Sequence, residues 1–152
     1  MFGDIKNDVM TINDTGEIAK QCWLNIPKHF PNIVLREYVI MPNHIHGILE
    51  ITNNENNINV NNCRKIDIHC RGTACRALTF EQFGDPIKGS IPTIIRSYKS
   101  AVTKQLHNDG FIGSIWQRNY YEHIIRNDDD YKNIVEYIIY NPAKWVEDKL
   151  KP

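Results

Sequence analysis

The stretch Tyr38-Val39-Ile40-Met41-Pro42-Asn43-His44-Ile45-His46-Gly47-Ile48-Leu49-Glu50-Ile51 decides the fold. Its apolar residues predict two strands, and Pro42 and Asn43 predict the turn between them. Because side chains alternate between the two faces of a strand, His44 and His46 should point the same way and Ile45 the opposite way. Two such imidazoles can bind a metal ion or a phosphate. A pair of half-buried strand histidines without any ligand fits the same pattern.

The composition indicates one globular domain that spans residues 1–152. The chain has 152 residues, of which 41% are hydrophobic and 24% charged, as in ordinary globular proteins with a single core. No apolar run approaches the roughly 20 residues that cross a bilayer. The first residues lack the apolar segment of a signal peptide. The sequence therefore predicts a cytoplasmic protein that does not interact with a membrane.

The sequence pattern predicts alternating strands and helices. A hairpin is expected over residues 2–13, then a helix capped by Asp14 or Thr15, and strands over residues 33–41 and 44–51. Apolar residues recur at helical spacing from Ser90 to His107, with Ser90 as the cap. A strand is expected near residues 116–126, followed by a helix that Asn127 or Asp128 caps and that Asn141-Pro142 ends.

Residues 53–86 differ in composition from the rest of the chain. Residues 53–62 contain seven asparagines, and no apolar periodicity follows. This predicts a low-complexity, flexible loop, interpreted as a tolerated surface insertion. Within it, Cys63, His69, Cys70 and Cys75 suggest zinc, but their spacing contains no CxxC pair. Free cytosolic thiols are therefore the preferred interpretation of the cysteines.

The charge is locally uneven although the formal net charge is zero. Between residues 87 and 126 six basic residues stand against two acidic ones. Such a segment is typical of a polyanion-binding surface, although a solvated helix face gives the same pattern. Its charge and aromatic stacking potential make Arg96, Lys99, Trp116 and Arg118 candidates for DNA contact.

Tyr137 and Asn141 are further candidates for the same site as the two histidines. They are four residues apart on the predicted last long helix, so they lie one above the other. Imidazole nitrogens and an amide oxygen suit a divalent ion such as Mn²⁺ or Mg²⁺ with open coordination positions. Beside such an ion a phenol can attack a phosphodiester. Taken alone, Tyr137 is better explained as a tyrosine at the core boundary, and other tyrosines compete with it: Tyr120, Tyr121, Tyr131 and Tyr140.

Three motifs in order resemble one family. The stretch from Tyr38 to Ile48 resembles the His-hydrophobic-His motif of the single-tyrosine HUH transposases. Trp116-Gln117-Arg118-Asn119-Tyr120-Tyr121-Glu122-His123-Ile124-Ile125-Arg126, followed by Tyr137-Ile138-Ile139-Tyr140-Asn141-Pro142, resembles the REP-associated tyrosine transposases within that group. The resemblance extends from Phe2 to Trp145 apart from residues 53–86.

The resemblance implies an α+β, ferredoxin-like βαββαβ antiparallel sheet with helices on one face and a C-terminal, tyrosine-bearing helix. It implies an enzyme of DNA transposition, an HUH endonuclease that cleaves and joins single-stranded DNA at hairpin-forming repeats and depends on Mg²⁺ or Mn²⁺. Tyr137 would be the nucleophile that leaves a 5′-phosphotyrosine. His44 and His46 would bind the metal, with Asn141 as a third ligand, in a monomer or a homodimer.

The sequence departs from the family pattern at its start. Relatives carry a further strand before the position of Phe2, and that strand is central in a ferredoxin-like sheet. Without it, the histidine strand and the last strand should each have an exposed edge, which predicts poor stability. This supports an alternative to the enzyme: a catalytically inactive, N-terminally truncated remnant that only binds structured single-stranded DNA. A third hypothesis is an unrelated metal-dependent hydrolase that does not use Tyr137.

Overall fold

A computed structural model describes residues 1–52, 64–69, 89–116 and 120–147 of the chain. In chain order the elements are β1 (Gly3–Lys6), β2 (Val9–Ile12), α1 (Asp14–Leu24), α2 (Ile26–His29), β3 (Ile33–Ile40), β4 (Ile45–Ile51), β5 (Arg64–His69), α3 (Ile91–Asn108), β6 (Tyr121–Ile125), α4 (Asp128–Tyr140) and a 3-10 helix (Pro142–Glu147). None of the helices in these ranges has the length and apolarity to span a membrane.

The fold is α+β, as predicted, with a four-stranded antiparallel sheet in the order β3-β4-β5-β6. Strands β1 and β2 form a separate hairpin. It turns at Asn7 and Asp8, which both have positive φ, at 52° and 63°. This is the conformation of a tight two-residue hairpin turn, and it is one that Asn and Asp tolerate.

The two faces of the sheet carry different helices. Ile45 and Leu49 of β4 belong to the larger apolar core, which α1 and α3 supply with buried residues such as Trp23 and Ile94. Ile48, on the opposite face of β4, packs in a second cluster with Ile138 of α4. Because side chains alternate along β4, His46 lies on the α4 face with Ile48.

Strand β5 corrects two expectations from the sequence. The loop predicted over residues 53–86 contains a strand at residues 64–69, so that prediction was wrong for these six residues, and the rest of the range lies outside the described residues. The predicted exposed strand edges were also wrong. β5 pairs antiparallel with β4 on one side and with β6 on the other. The backbone groups of both neighbours that face β5 are therefore engaged in ladders.

Side-chain caps set the helix starts. Asn13 caps α1, since its Oδ1 accepts from Gly16 N at 3.0 Å, so the expected cap at Asp14 or Thr15 was wrong by one or two residues. Ser90 caps α3 and Asn127 caps α4, as predicted. Pro142 has no N–H to donate to Ile138 O, and that carbonyl accepts from Asn141 N at 3.4 Å instead. Helix α4 therefore ends at Tyr140, and the 3-10 helix begins at Pro142.

A bulge in β3 changes which residues face α4. Leu35 and Tyr38 both pack against the larger core although they are three residues apart, and the β3–β4 register shifts between them. The extra residue lets the consecutive side chains of Arg36 and Glu37 both reach partners on the α4 side, namely Glu50 and Tyr131.

Candidate active site

His44 and His46 lie side by side on the α4 face. Their ring centroids are 4.8 Å apart, and the rings meet edge to face. Both residues are buried, at 2% and 3% exposure. His44 directly precedes β4 and closes the turn, because its carbonyl accepts from Met41 N at 2.9 Å. The hairpin therefore fixes the backbone of both imidazoles.

Asn43 sets the tautomer of His44. The Nδ1 atom of His44 lies 2.6 Å from Asn43 Oδ1. An amide oxygen only accepts hydrogen bonds, so Nδ1 carries the proton and donates. In the neutral ring this leaves the lone pair on Nε2, which is the atom that can coordinate a metal.

Two aromatic residues of the C-terminal segment contact the histidines. Tyr137 of α4 meets the ring of His46 edge to face at 5.2 Å between centroids. Trp145 of the 3-10 helix lies 6.1 Å from His44. Tyr137 is 45% exposed, so its phenol borders solvent as well as the buried imidazole pair.

Asn141 lies between these two contacts in the chain. It is the C-terminal cap residue of α4, one turn after Tyr137, and it is only 5% exposed. Since Tyr137 contacts His46 and Trp145 contacts His44, the chain that carries Asn141 crosses the histidine pair. The backbone of Asn141 therefore lies on the α4 face of the sheet.

Polar contacts attach the first half of α4 to the sheet. The hydroxyl of Tyr131 donates to Glu37 Oε2 at 2.7 Å, and Nε2 of His123 lies 2.9 Å from Asp130 Oδ2. Burial, followed by the hydrogen bond to Glu37, raises the pKa of Tyr131 above its ordinary value. These contacts lie in the first turns of α4 and fix the position of Tyr137 two turns later.

Three of the four residues predicted to contact DNA lie on or beside α3, on the other face of the sheet. Trp116 Nε1 donates to the backbone oxygen of Lys99 at 3.1 Å, and Lys99 Nζ lies 5.7 Å from the ring centroid of Trp116. Arg96 is exposed one turn before Lys99 on α3. The structure therefore brings Lys99 and Trp116 together with Arg96 nearby, whereas Arg118 lies outside the described residues.

The donor set of the site fits a divalent ion with open positions. The two neighbouring imidazoles supply two nitrogen donors, and such a pair fits Mn²⁺ or Mg²⁺ when oxygen ligands complete the shell. No group of three or more His, Cys, Asp or Glu that could hold a metal occurs in the described ranges. Among the cysteines, Cys22 is a free thiol whose pKa burial raises, and Cys63, Cys70 and Cys75 lie outside those ranges.

Sequence reasoning missed two residues of the site. Asn43 was interpreted only as a turn residue, although its side-chain oxygen also accepts from His44 Nδ1. Trp145 follows the helix break, and its contact with His44 depends on how the 3-10 helix turns back. No periodicity predicts that contact.

Three relatives match the chain. A Haemophilus influenzae protein that has no assigned function is 41% identical over 153 residues, which cover 99% of this chain and 77% of the relative. A second Haemophilus influenzae protein, provisionally named a REP-associated tyrosine transposase, is 27% identical over 105 residues, or 69% of this chain and 47% of that protein. An Escherichia coli REP-associated tyrosine transposase is 42% identical over 48 residues, or 30% and 29%.

The two relatives that carry a functional name match over less than half of their own length. No protein-family model matches the chain, and no solved structure matches it significantly. The longest match covers nearly the whole chain at a high identity. The chain therefore belongs to one family with the first Haemophilus influenzae protein, and it is a distant homologue of REP-associated tyrosine transposases.

Proposed function

We propose that this protein is a transposase of the REP-associated tyrosine type, which cleaves and joins single-stranded DNA at hairpin-forming repeats. The observation that carries the proposal is the contact between Tyr137 and His46, at 5.2 Å between ring centroids, beside a second buried histidine. The names of the distant homologues support it.

In this proposal His44, His46 and Asn141 hold a divalent ion, Mn²⁺ or Mg²⁺. When bound there, the ion would polarise a non-bridging oxygen of the scissile phosphodiester and favour the ionised phenol. The hydrogen bond from His44 to Asn43 keeps the Nε2 lone pair available for this purpose. Tyr131 and Asp130 hold α4 on the sheet, so the phenol stays aligned with the imidazoles.

Tyr137 is the nucleophile. Its phenol oxygen forms a bond to phosphorus, and the bond from phosphorus to the 3′ oxygen breaks. The phenol proton is lost as the new bond forms, and the departing 3′ oxygen takes up a proton to become a hydroxyl. The products are a 5′-phosphotyrosine on Tyr137 and a free 3′ end. Attack by a 3′-hydroxyl on the phosphotyrosine reverses the step and joins two strands.

The test is an adduct assay with matched tyrosine variants. A hairpin oligonucleotide labelled at its 3′ end and incubated with Mn²⁺ should become covalently attached to the protein, whereas a 5′ label should be released. Tyr137→Phe should abolish the adduct. Tyr140→Phe is the control, because Tyr140 lies one turn away on α4 and is also exposed, at 58%.

Other outcomes support other functions. Hairpin binding that survives His44→Ala, with no cleavage by any variant, would favour the inactive binding remnant. Cleavage without an adduct that is indifferent to Tyr137→Phe would favour a metal-dependent hydrolase. Either result would contradict the proposal that Tyr137 forms a phosphotyrosine.

A further inference from the structure

Trp145 is a buried aromatic residue of the candidate site that the proposed reaction does not use. It lies in the 3-10 helix Pro142–Glu147 and is 8% exposed. Its ring centroid lies 6.1 Å from that of His44, and the two ring planes meet at 38°. Within the described residues, it is buried without belonging to either of the two apolar clusters. Its burial is therefore associated with the histidine pair rather than with the main cores.

The imidazole of His44 has contacts of three kinds. Its Nδ1 lies 2.6 Å from Asn43 Oδ1, and this hydrogen bond fixes one edge of the ring. The ring of His46 meets it edge to face, with an angle of 89° between the planes. The plane of Trp145 is nearer to parallel with it, at 38°. A hydrogen bond at one nitrogen still lets the ring tilt about that contact, so the Trp145 ring is the neighbour that limits this tilt.

The tilt of His44 affects metal binding because the lone pair of an imidazole nitrogen lies in the plane of its ring. An ion shared by two imidazoles must lie close to both lone-pair axes. A ring that tilts about a single hydrogen bond loses this alignment for part of the time. Residues that orient a metal-binding histidine without touching the metal change its affinity for this reason. Trp145 is placed to act in this way on His44.

The position of Trp145 depends on the helix break after α4. The 3-10 helix that begins at Pro142 brings Trp145 to the histidine turn, and the same 3-10 helix contacts β2 of the N-terminal hairpin. Tyr137 meets His46 before the break, and Trp145 meets His44 after it. The segment that carries the phenol is thus attached to the histidine pair at two points, one for each imidazole.

We propose that Trp145 is a positioning residue of the candidate metal site, which packs on His44 and directs Nε2 of that ring to a divalent ion shared with His46. The inference rests on the proposed function for the identity of the ion. In it, Trp145 touches neither the ion nor the DNA and acts only through His44. A residue that merely filled space would stabilise the fold without changing the affinity for the ion.

The first test is calorimetric titration of the folded chain with Mn²⁺. Trp145→Leu keeps an apolar side chain but not a flat ring, and it should weaken Mn²⁺ binding about 10–100-fold, as the loss of a residue that orients a metal-binding histidine does. Trp145→Phe keeps a flat ring and should restore most of the affinity. The control, Leu106→Ala, opens a cavity in the larger core, where Leu106 is 3% exposed. It should lower the melting temperature and leave the Mn²⁺ affinity unchanged.

The second test needs no metal. In the metal-free, ¹⁵N-labelled chain at about pH 8, where an ordinary imidazole is neutral, the two ring nitrogens of His44 should give well-separated NMR resonances, since Nδ1 carries the proton. Trp145→Leu should bring these resonances toward each other, because a tilting ring populates both tautomers, and Trp145→Phe should not. The resonances of His123, whose Nε2 lies 2.9 Å from Asp130 Oδ2, should stay the same in every variant.

The two readouts separate this inference from the proposed function. A chain that binds no Mn²⁺, but whose His44 resonances respond to Trp145→Leu, would contradict the proposed function and still support the orientation of His44 by Trp145. Unchanged His44 resonances in Trp145→Leu would overturn the inference, and so would an Mn²⁺ affinity equal to that of the unsubstituted chain. An equal loss of affinity in Leu106→Ala would overturn it as well, since the effect would then reflect stability alone.

Discussion

At the scale of single residues, Asn43 lies in the turn before β4 and also orients a histidine of the candidate site. Its side chain accepts from His44 Nδ1 at 2.6 Å and thereby determines which nitrogen of His44 faces the site. We expect Asn43→Ala to weaken Mn²⁺ binding about 10–100-fold, the usual effect of removing a residue that orients a metal-binding histidine. Isothermal titration with Mn²⁺ measures this. Asn133→Ala, an exposed change on α4, is the control.

The Mn²⁺ affinities of the two variants can contradict this prediction. If Asn43→Ala and Asn133→Ala bind Mn²⁺ as tightly as the unsubstituted chain, the hydrogen bond to Asn43 does not orient a metal ligand. The turn itself would remain, because Met41 N still donates to His44 O.

Glu122 makes stability depend on pH. Burial raises its pKa above the ordinary 4.5, and a hydrogen bond from Tyr120 opposes the shift. The folded chain therefore binds the Glu122 proton more tightly than the unfolded chain does. The contribution of Glu122 to stability is complete below about pH 4.5 and is lost as the pH rises through the folded-state pKa.

Glu122→Gln removes this dependence. We expect the melting temperature of the variant, relative to the unsubstituted chain, to rise between about pH 4 and about pH 7. Thermal unfolding followed by circular dichroism at both pH values measures the difference. Glu136→Gln, which changes an exposed carboxylate of α4, should show no such trend. A difference that stays constant with pH for Glu122→Gln would contradict the argument.

At the scale of elements, helix α1 and strand β4 approach each other through Gly47. A Cβ added there would overlap the six-membered ring of Trp23, which is fully buried. We expect Gly47→Ala to cost about 1–3 kcal/mol in the free energy of unfolding, as overpacking does. In a Trp23→Phe background, where the smaller ring leaves room, the same change should cost less. Urea denaturation of the unsubstituted chain, the two single variants and the double variant gives the coupling, and equal costs in both backgrounds would contradict the explanation.

Sequence patterns predicted the elements whose signals are local. Alternation placed His44 and His46 together, and Ser90 and Asn127 are caps at the expected positions. Strand β5 was missed although Ile66 and Ile68 alternate with polar residues, because that short run lies within Asn-rich and Cys-rich sequence. The bulge between Leu35 and Tyr38 was missed because it depends on the register with β4.

At the scale of the whole molecule, β5 determines whether the sheet is continuous. The predicted poor stability was based on unpaired edges of the histidine strand and the last strand, and β5 pairs with both of these strands. Ile66 lies opposite Leu49 on one side and Ile124 on the other. We therefore expect the unsubstituted chain to unfold cooperatively, with β5 as the part on which the sheet depends.

Ile66→Pro tests this dependence through the backbone. Proline has no N–H and is excluded from central strands, so the variant loses a ladder hydrogen bond and leaves its partner carbonyl unpaired, at a cost of at least about 1–3 kcal/mol. We expect a lower and broader thermal transition by circular dichroism. Ile112→Pro, at a position between α3 and β6 that is 98% exposed, is the control and should melt like the unsubstituted chain. If Ile66→Pro also melts unchanged, β4 and β6 do not need β5, and the continuity of the sheet has another source.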